Sequence, residues 1–90
     1  MLKDKVAIIT GGARGIGRSI ADKFAANGAI LALVDVNEDV AKTAADELGA
    51  KGIKAIALKA DVSNQEDVEN MVKTVIDAFG RVDVLVNNAG

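Results

Sequence analysis

Three glycines near the N-terminus are spaced so that backbone amides could surround a phosphate group. Gly11, Gly15 and Gly17 form a G-x-x-x-G-x-G pattern that follows an apolar run and opens an amphipathic stretch. We expect Gly11 to allow a tight exit from a strand, Gly15 to let the backbone approach a phosphate, and Gly17 to let a helix lie close to a sheet. Because free N–H groups and the positive end of a helix attract anions, the loop predicts a dinucleotide pyrophosphate site rather than a plain turn.

Two charged residues bear on which dinucleotide would fit. Asp35 ends a second apolar run about 20 residues beyond the glycines, where a carboxylate can accept hydrogen bonds from both hydroxyls of an adenosine ribose. A 2′-phosphate at roughly 4 Å from that carboxylate would be repelled by a few kcal/mol, which favours NAD over NADP. Arg14 argues the other way, because its guanidinium could bind that phosphate, and NADP remains an alternative. Each residue also has a plainer interpretation, Asp35 as a turn residue and Arg14 as a solvated charge.

Polar residues also end the third and fourth apolar runs. Asp61 and Val62 could hold an adenine by its exocyclic amine and one ring face, or Asp61 could be a turn carboxylate that precedes a helix. Asn87 and Asn88 follow the last run, and we favour a structural role for Asn87 and a cofactor ribose contact for Asn88. These residues extend the candidate site along one edge of the predicted sheet.

The residue types that are missing limit the chemistry. The 90 residues contain no Cys, His or Tyr. Disulfides, thiolate nucleophiles and the usual zinc sites are thereby excluded, whereas carboxylate-bound Mg²⁺ stays open. The remaining proton carriers are carboxyls and lysines, whose ordinary pKa values lie far from neutrality. We therefore predict no catalytic residue within these residues, and we single out no metal-ligating residue.

Composition predicts a soluble α/β protein with a small-molecule ligand. Half of the residues are hydrophobic, 27% are charged and 2% are aromatic, which suits a buried parallel sheet covered by helices. A net charge of −2, without a basic stripe, argues against nucleic acid as a partner. The apolar runs are too short for a membrane span or a signal peptide, so we expect a cytoplasmic location and no membrane partner.

Short apolar runs alternate with amphipathic stretches, a pattern typical of repeated βα units. The predicted strands are 5–10, 29–35, 53–60 and 82–86. The first two runs are almost wholly apolar, which predicts central strands that are buried on both faces. Lys54 and Lys59 in the third run predict an edge strand, because charges there discourage pairing with another chain.

Three helices are predicted between those strands. The first repeats apolar residues every four positions and ends near Gly28, a residue suited to a helix C-terminus. The second begins after Asn37 as its N-cap. The third opens with the capping box Ser63-x-x-Glu66 and stops at Gly80. Strands and helices therefore alternate as βαβαβαβ.

The handedness of βαβ crossovers turns this order into a topology. Crossovers between parallel strands are right-handed, so two successive moves in one direction place the first two helices on one face of the sheet. A reversal then places the third helix on the other face. We predict a Rossmann-type doubly wound parallel sheet with strand order 3-2-1-4, truncated after the fourth strand. Ligands bind such sheets at the switch point, here between the loops 11–17 and 87–90.

Three motifs in order resemble those of the short-chain dehydrogenases/reductases. The family's T-G-x-x-x-G-x-G corresponds to 10–17, its Asp-Val pair to 61–62 and its N-N-A-G to 87–90. Within the family the chain is most similar to the 3-oxoacyl-acyl-carrier-protein reductases and their generic relatives. The resemblance implies cofactor contacts at Gly11, Arg14, Ile16, Asp35, Asp61, Val62 and Asn88. It also implies that Asp35 selects NAD and that Asn87 braces the sheet.

The resemblance further implies an activity that these residues would not perform alone. The family transfers a hydride between NAD(P) and a carbonyl or alcohol, with a Tyr as proton donor and a Lys, a Ser and an Asn that all lie beyond residue 90. Its chains form one domain of roughly 250 residues, and a homo-oligomer, dimer or tetramer, is implied. We therefore expect 1–90 to be the N-terminal portion of one dinucleotide-binding domain, with a cofactor site and without catalysis.

Two other functions stay open. The chain could be a stand-alone nucleotide-binding or regulatory module, or it could be an element that associates with itself. The second alternative rests on the run 82–86, which reads as an interior strand although no further strand follows to pair with it. Unpaired apolar edges invite association.

Overall fold

The computed structural model describes residues 2–88, in which four strands and three helices alternate. The strands are β1 (Val6–Thr10), β2 (Ile30–Asp35), β3 (Ala55–Lys59) and β4 (Val84–Asn87), and the helices are α1 (Gly15–Ala26), α2 (Glu38–Gly49) and α3 (Gln65–Phe79). All pairings are parallel and the strand order is β3-β2-β1-β4. The predicted doubly wound topology is confirmed. The second half of the N-N-A-G turn, Ala89 and Gly90, lies outside the described residues.

The two central strands are buried because helices cover both faces of the sheet. Alternate residues of β1 point to opposite faces, and the two faces carry separate apolar clusters. Ala7 and Ile9 belong to the cluster that contains residues of α1 and α2. Val6 and Ile8 belong to the cluster that contains Met71 of α3. The expected placement of the first two helices on one face and the third on the other is therefore correct.

Strand β3 forms one edge of the sheet, as its lysines predict. Its apolar residues are half-buried, whereas Lys54 and Lys59 at its two ends are exposed. The hydrogen-bonded neighbour of β3 is β2, with Leu31 opposite Ala55. The strand is two residues shorter at its start than predicted and one shorter at its end.

The helix N-termini confirm one predicted cap and correct another. Asn37 caps α2, where its Oδ1 accepts from the backbone N–H groups of Asp39 and Val40 at 3.0 and 3.3 Å. For α3 the cap is Asn64, whose Oδ1 accepts from the third residue of the helix at 3.1 Å. The predicted capping box at Ser63 was wrong.

The Ser63 hydroxyl does not cap α3 because it donates to a carboxylate. It donates to Oδ1 of Asp61 at 2.6 Å, and the Ser63 N–H donates to the same oxygen at 2.9 Å. A carboxylate accepts a shorter and stronger hydrogen bond than a neutral group does. Asp67 completes the turn from the helix side, since its Oδ2 accepts from the N–H of Asp61 at 3.0 Å. The helix therefore begins one residue later than the motif predicts.

Asp83, the residue before β4, is hydrogen-bonded to β1. Its Oδ2 accepts from the N–H of Val6 at 2.8 Å, and its own N–H donates to the Val6 carbonyl at 2.9 Å. The guanidinium of Arg81 donates to the other carboxylate oxygen at 2.6 and 3.0 Å. This double link sets the register in which Ala7 lies opposite Val84. The strand begins two residues later than predicted because Asp83 uses its side chain in this link.

We expect the contribution of Asp83 to stability to disappear in acid. The Arg81 guanidinium, and next the Val6 N–H, hold the pKa of Asp83 below its ordinary value. A lowered folded-state pKa stabilises the fold above the unfolded-state pKa of about 3.9, and the effect is lost as the pH falls through the folded value. Urea denaturation should therefore show Asp83→Asn less stable than wild type at neutral pH, with the difference shrinking below about pH 4. An equal difference in free energy of unfolding in acid and at neutrality would contradict this.

Candidate functional site

A cleft lies at the carboxyl edge of the sheet and brings together residues from three separate segments. Its volume is about 300 Å³. It is lined by Thr10, Gly11, Arg14, Val34, Asp35, Val36, Ala60, Asp61 and Val62. The glycine loop, the end of β2 and the residues after β3 thus meet at one place, as the topology predicts. The other predicted site residues, Gly15, Ile16, Gly17 and Asn88, are near the start of α1 and the end of β4.

The glycine loop leaves the sheet through a left-handed turn. Gly11 has φ 65° and its N–H donates to the Val34 carbonyl at 2.7 Å, which keeps the start of the loop against β2. Gly15 has φ 56°, and a Cβ placed on it would meet no atom within 4 Å. Such φ values suit glycine and strain most other residues. Gly15 therefore leaves open space beside the first turn of α1, and Ile16, next to it, is 74% exposed.

Gly17 permits the closest approach in this region. A Cβ on Gly17 would collide with the backbone carbonyl of Gly11 and would lie 2.8 Å from the Asn88 side-chain nitrogen. The expectation was that Gly17 lets the helix lie close to the sheet. The contact is instead with the start of the glycine loop and with the segment that leaves β4. The residue thus holds the two sides of the switch point together.

The N-terminus of α1 differs from the N-termini of α2 and α3, and the difference favours binding of an anion. Arg14 occupies the N-cap position, and within the described residues no side chain caps this helix and its first turn carries no acid. The first turn of α2 contains Glu38 and Asp39, and that of α3 contains Glu66 and Asp67. Unpaired N–H groups and the helix dipole stabilise negative charge at such an end. Together with the close backbone approach at Gly17, these groups fit a diphosphate.

Asp35 is a buried carboxylate at the end of β2. It is 7% exposed, and its Oδ1 accepts from the N–H of Asn37 at 3.0 Å. Its Oδ2 lies 3.5 Å from Nη2 of Arg14. From the sequence alone these two side chains are rival determinants of cofactor choice, and their pairing is a finding of the structure. One carboxylate oxygen is therefore held by backbone, and the other faces a cation from the glycine loop.

Asp61 serves the turn before α3 with one of its oxygens. The two hydrogen bonds from Ser63, the side-chain bond first, lower the pKa of Asp61 below its ordinary value. Within residues 2–88 its Oδ2 receives no hydrogen bond. Asp61 therefore serves as the turn carboxylate that the sequence analysis gave as an alternative. Its Oδ2 remains available to a ligand in the cleft.

Thr10 joins the two sides of the switch point, a role that its place in the glycine motif does not predict. Its Oγ1 accepts from the N–H of Asn88 at 2.9 Å and lies 3.2 Å from both the Val86 carbonyl and Oδ1 of Asn87. The signal was a single hydroxyl at the end of an otherwise apolar, fully buried strand. Asn87 thus contacts β1 through Thr10, in agreement with the structural role expected for it.

Across residues 2–88 no group of three or more Asp or Glu side chains is arranged to hold a metal ion. None of the helices in that same stretch is long and apolar enough to span a membrane.

The fold and the cleft define the Rossmann-type class of doubly wound α/β proteins, in which a glycine loop opens the helix beside the switch point. The family model for short chain dehydrogenases matches residues 5–90. The chain belongs to the short-chain dehydrogenase family.

Relatives and solved structures agree with that assignment. The chain is 43% identical over 89 residues to a (2S)-[(R)-hydroxy(phenyl)methyl]succinyl-CoA dehydrogenase subunit of Thauera aromatica. The alignment covers 99% of this chain and 36% of the relative. It is 44% identical to 3beta-hydroxysteroid dehydrogenase 2 of Eggerthella lenta, over 100% of this chain and 35% of the relative. The chain therefore spans about a third of the length of these curated relatives.

Two crystal structures share the fold closely. A hydroxysteroid dehydrogenase from Escherichia coli superposes with a TM-score of 0.94 at 40% identity, covering 99% of this chain and 38% of the other. A short-chain dehydrogenase/reductase from Burkholderia phymatum in complex with NAD superposes with a TM-score of 0.90 at 39% identity. The superposition covers 93% of this chain and 30% of the other. The arrangement of β1–β4 with α1–α3 is thus that of known short-chain dehydrogenases.

Proposed function

We propose that this chain is the cofactor-binding part of an NAD(P)-dependent oxidoreductase that interconverts a carbonyl and an alcohol. The observation that carries the proposal is the convergence of the glycine loop, the uncapped start of α1 and the buried carboxylate of Asp35 around one cleft. The glycine loop and the start of α1 suit the pyrophosphate of a dinucleotide, and Asp35 suits its adenosine ribose. When bound, the nicotinamide supplies or accepts the hydride.

The glycine loop would bind the pyrophosphate. The first-turn N–H groups of α1 point away from the helix and are free to donate to phosphate oxygens. Gly15 leaves space for the approach, and Gly17 keeps α1 against the start of the loop. The neighbouring side chains Ile16 and Asn88 are exposed beside this turn and would contact the cofactor there.

Asp35 would bind the adenosine ribose and favour NAD. Its carboxylate can accept from both ribose hydroxyls, whereas a 2′-phosphate in their place would meet a like charge in a poorly solvated position. The NAD in the structure of the Burkholderia phymatum relative supports a nicotinamide dinucleotide as the ligand class. NADP remains the alternative cofactor because of Arg14.

The residues after β3 would bind the adenine. Oδ2 of Asp61 can accept from the exocyclic amine, and Val62 together with Val36 offers apolar surface to the ring faces. Val36 is 60% exposed, so its side chain is accessible to a ring placed in the cleft. Adenine would therefore sit at the far end of the cleft from the glycine loop.

Hydride transfer also needs a proton donor, which we place beyond residue 90. The 90 residues have no Tyr, Cys or His, and loss of a general acid alone slows such reactions by about 10²- to 10⁴-fold. We propose that 1–90 binds the cofactor without catalysis and that the whole protein acts on a carbonyl or alcohol, in the manner of the 3-oxoacyl-acyl-carrier-protein reductases. The two named relatives are dehydrogenases of a CoA ester and of a steroid, which supports the same substrate class.

Isothermal calorimetry with NAD, NADP and adenosine tests the proposal. We expect one molecule of NAD per chain, bound more tightly than NADP and far more tightly than adenosine, because the loop adds the pyrophosphate contacts. If neither NAD nor NADP bound, the cofactor site would be refuted. Tighter binding of NADP would refute the role given to Asp35 while leaving the site intact.

A second candidate function is self-association through β4. Within the described residues this strand pairs on one side only, with β1, and Leu85 is 52% exposed. Light scattering over a range of concentrations tests it. A mass that rises with concentration supports association, and a monomer at all concentrations contradicts it.

A further inference from the structure

Ser63 lies outside the cleft but is bonded to a residue that lines it. Among residues 2–88, Asp61 and Val62 line the cleft and Ser63 does not. The Ser63 hydroxyl donates to Oδ1 of Asp61 at 2.6 Å, and the Ser63 N–H donates to the same oxygen at 2.9 Å. Hydrogen bonds to a carboxylate are short and strong. One oxygen of Asp61 is therefore held by a residue that a ligand in the cleft does not touch.

The backbone of this turn is held by bonds in which the Ser63 side chain takes no part. The N–H of Asp61 donates to Oδ2 of Asp67 at 3.0 Å, and the Asp61 carbonyl accepts from the N–H of Asn64 at 2.9 Å. Oδ1 of Asn64 accepts from the N–H of Asp67 at 3.1 Å and so caps α3. Loss of the Ser63 hydroxyl should therefore leave the path of the chain in place and loosen the Asp61 side chain.

The two acids that line the cleft are oriented in different ways. Asp35 is 7% exposed, so its surroundings fix its carboxylate. Asp61 is exposed, and its orientation depends on hydrogen bonds instead of packing. A side chain that must become ordered when a ligand binds lowers the affinity, because its lost rotational freedom opposes association. The bonds from Ser63 impose that order on Asp61 before a ligand arrives.

We propose that Ser63 is a positioning residue for adenine recognition, which holds Oδ1 of Asp61 so that Oδ2 meets the exocyclic amine of the cofactor. The inference rests on the proposed function, which places adenine beside Asp61 and Val62. An ionised carboxylate only accepts hydrogen bonds, so it attracts an amine and repels a carbonyl oxygen in the same place. Ser63 thereby sets the selectivity for adenine over hypoxanthine, which carries a carbonyl oxygen there, without contacting either base.

Calorimetry on the whole protein with two dinucleotides gives the main test. The ligands are NAD and nicotinamide hypoxanthine dinucleotide, in which a carbonyl oxygen replaces the amine. We expect Ser63→Ala to bind NAD about twofold to tenfold more weakly, the range for ordering one side chain on binding. Its affinity for the hypoxanthine dinucleotide should not fall, so the ratio of the two affinities decreases. Ser63→Thr keeps a hydroxyl and should restore the wild-type ratio.

Two further variants separate positioning from a general effect on α3. Thr74→Ala is the matched control, because it removes another exposed hydroxyl, which donates to the Asn70 carbonyl within α3 at 2.8 Å. It should leave both affinities within about twofold of wild type. In an Asp61→Ala background, Ser63→Ala should cause no further loss of NAD affinity, because Ser63 acts through the Asp61 carboxylate. Urea denaturation checks that each variant is folded.

Each contrary result has a distinct meaning. If Ser63→Ala weakens both dinucleotides alike, or is unfolded, then the hydroxyl supports the turn as a whole and the positioning role is refuted. Unchanged NAD affinity in Ser63→Ala, or an equal loss in the Asp61→Ala background, also refutes it. In all these cases wild type still binds NAD, so the cofactor site stands. If wild type binds neither NAD nor NADP, the proposed function fails and the positioning role fails with it.

Discussion

Replacing Gly17 with alanine is expected to weaken dinucleotide binding by about 10- to 100-fold, because a hydrogen bond to a charged group such as the pyrophosphate contributes about 1.5–3 kcal/mol. The added Cβ would collide with the Gly11 carbonyl and would lie 2.8 Å from the Asn88 side chain. A backbone carbonyl cannot rotate away as a flexible side chain does, so α1 must move from the start of the loop. The N–H groups that would bind the pyrophosphate move with it. Overpacking of this kind also destabilises a fold by about 1–3 kcal/mol.

Gly49→Ala provides the matched control. Gly49 is the last residue of α2, an added Cβ there meets nothing within 4 Å, and its φ is not positive. Alanine is favoured over glycine in helices by about 0.5–1 kcal/mol, so this variant should be as stable as wild type or slightly more stable. Calorimetry with NAD and urea denaturation of both variants make the comparison. A Gly17→Ala protein with wild-type affinity and stability would show that the collision is relieved without consequence.

Asp35→Asn is expected to weaken NAD binding by about 10- to 100-fold, because hydrogen bonds to a charged group contribute about 1.5–3 kcal/mol. The amide has the shape of the carboxylate and keeps an acceptor for the Asn37 N–H, so the fold should persist. It accepts from one ribose hydroxyl instead of two. NADP binding should become tighter, because the like charge facing the 2′-phosphate is gone and Arg14 is released.

Asp46→Asn is the control for charge alone, since Asp46 is an exposed residue of α2. It should leave both affinities within about twofold of wild type, as expected for a surface charge outside the site. Calorimetry with both cofactors measures all three proteins. Equal loss of NAD and NADP affinity in Asp35→Asn would argue that the residue supports the turn after β2 rather than selecting the cofactor.

The topology could be predicted because each step depends on local pattern and on a general rule. Continuous apolar runs predict central strands, and Lys54 and Lys59 predict the edge strand. The right-handed crossover then leaves one strand order for the observed sequence of elements. None of these steps requires knowledge of which side chains touch each other.

The details that could not be predicted depend on contacts between distant or competing groups. Ser63 has a motif for helix capping, but Asp61 competes for its hydroxyl and Asn64 takes the cap. Arg14 and Asp35 are each predicted from the sequence to contact a cofactor, yet their pairing follows from the path of the glycine loop across the end of β2. Sequence spacing identifies residue types at an edge of the sheet and leaves their mutual distances open.

The place of β1 in the middle of the sheet bears on how the protein is made. Its partner β4 is held by the bond from Val6 to Asp83, 77 residues later, and at about 5–20 residues per second a ribosome needs about 4–15 s to synthesise that interval. The residues that line the cleft end at Val62. The part of the cleft proposed for adenosine is therefore translated in full before β4, so all of its lining residues are present in the nascent chain while the sheet still lacks its fourth strand.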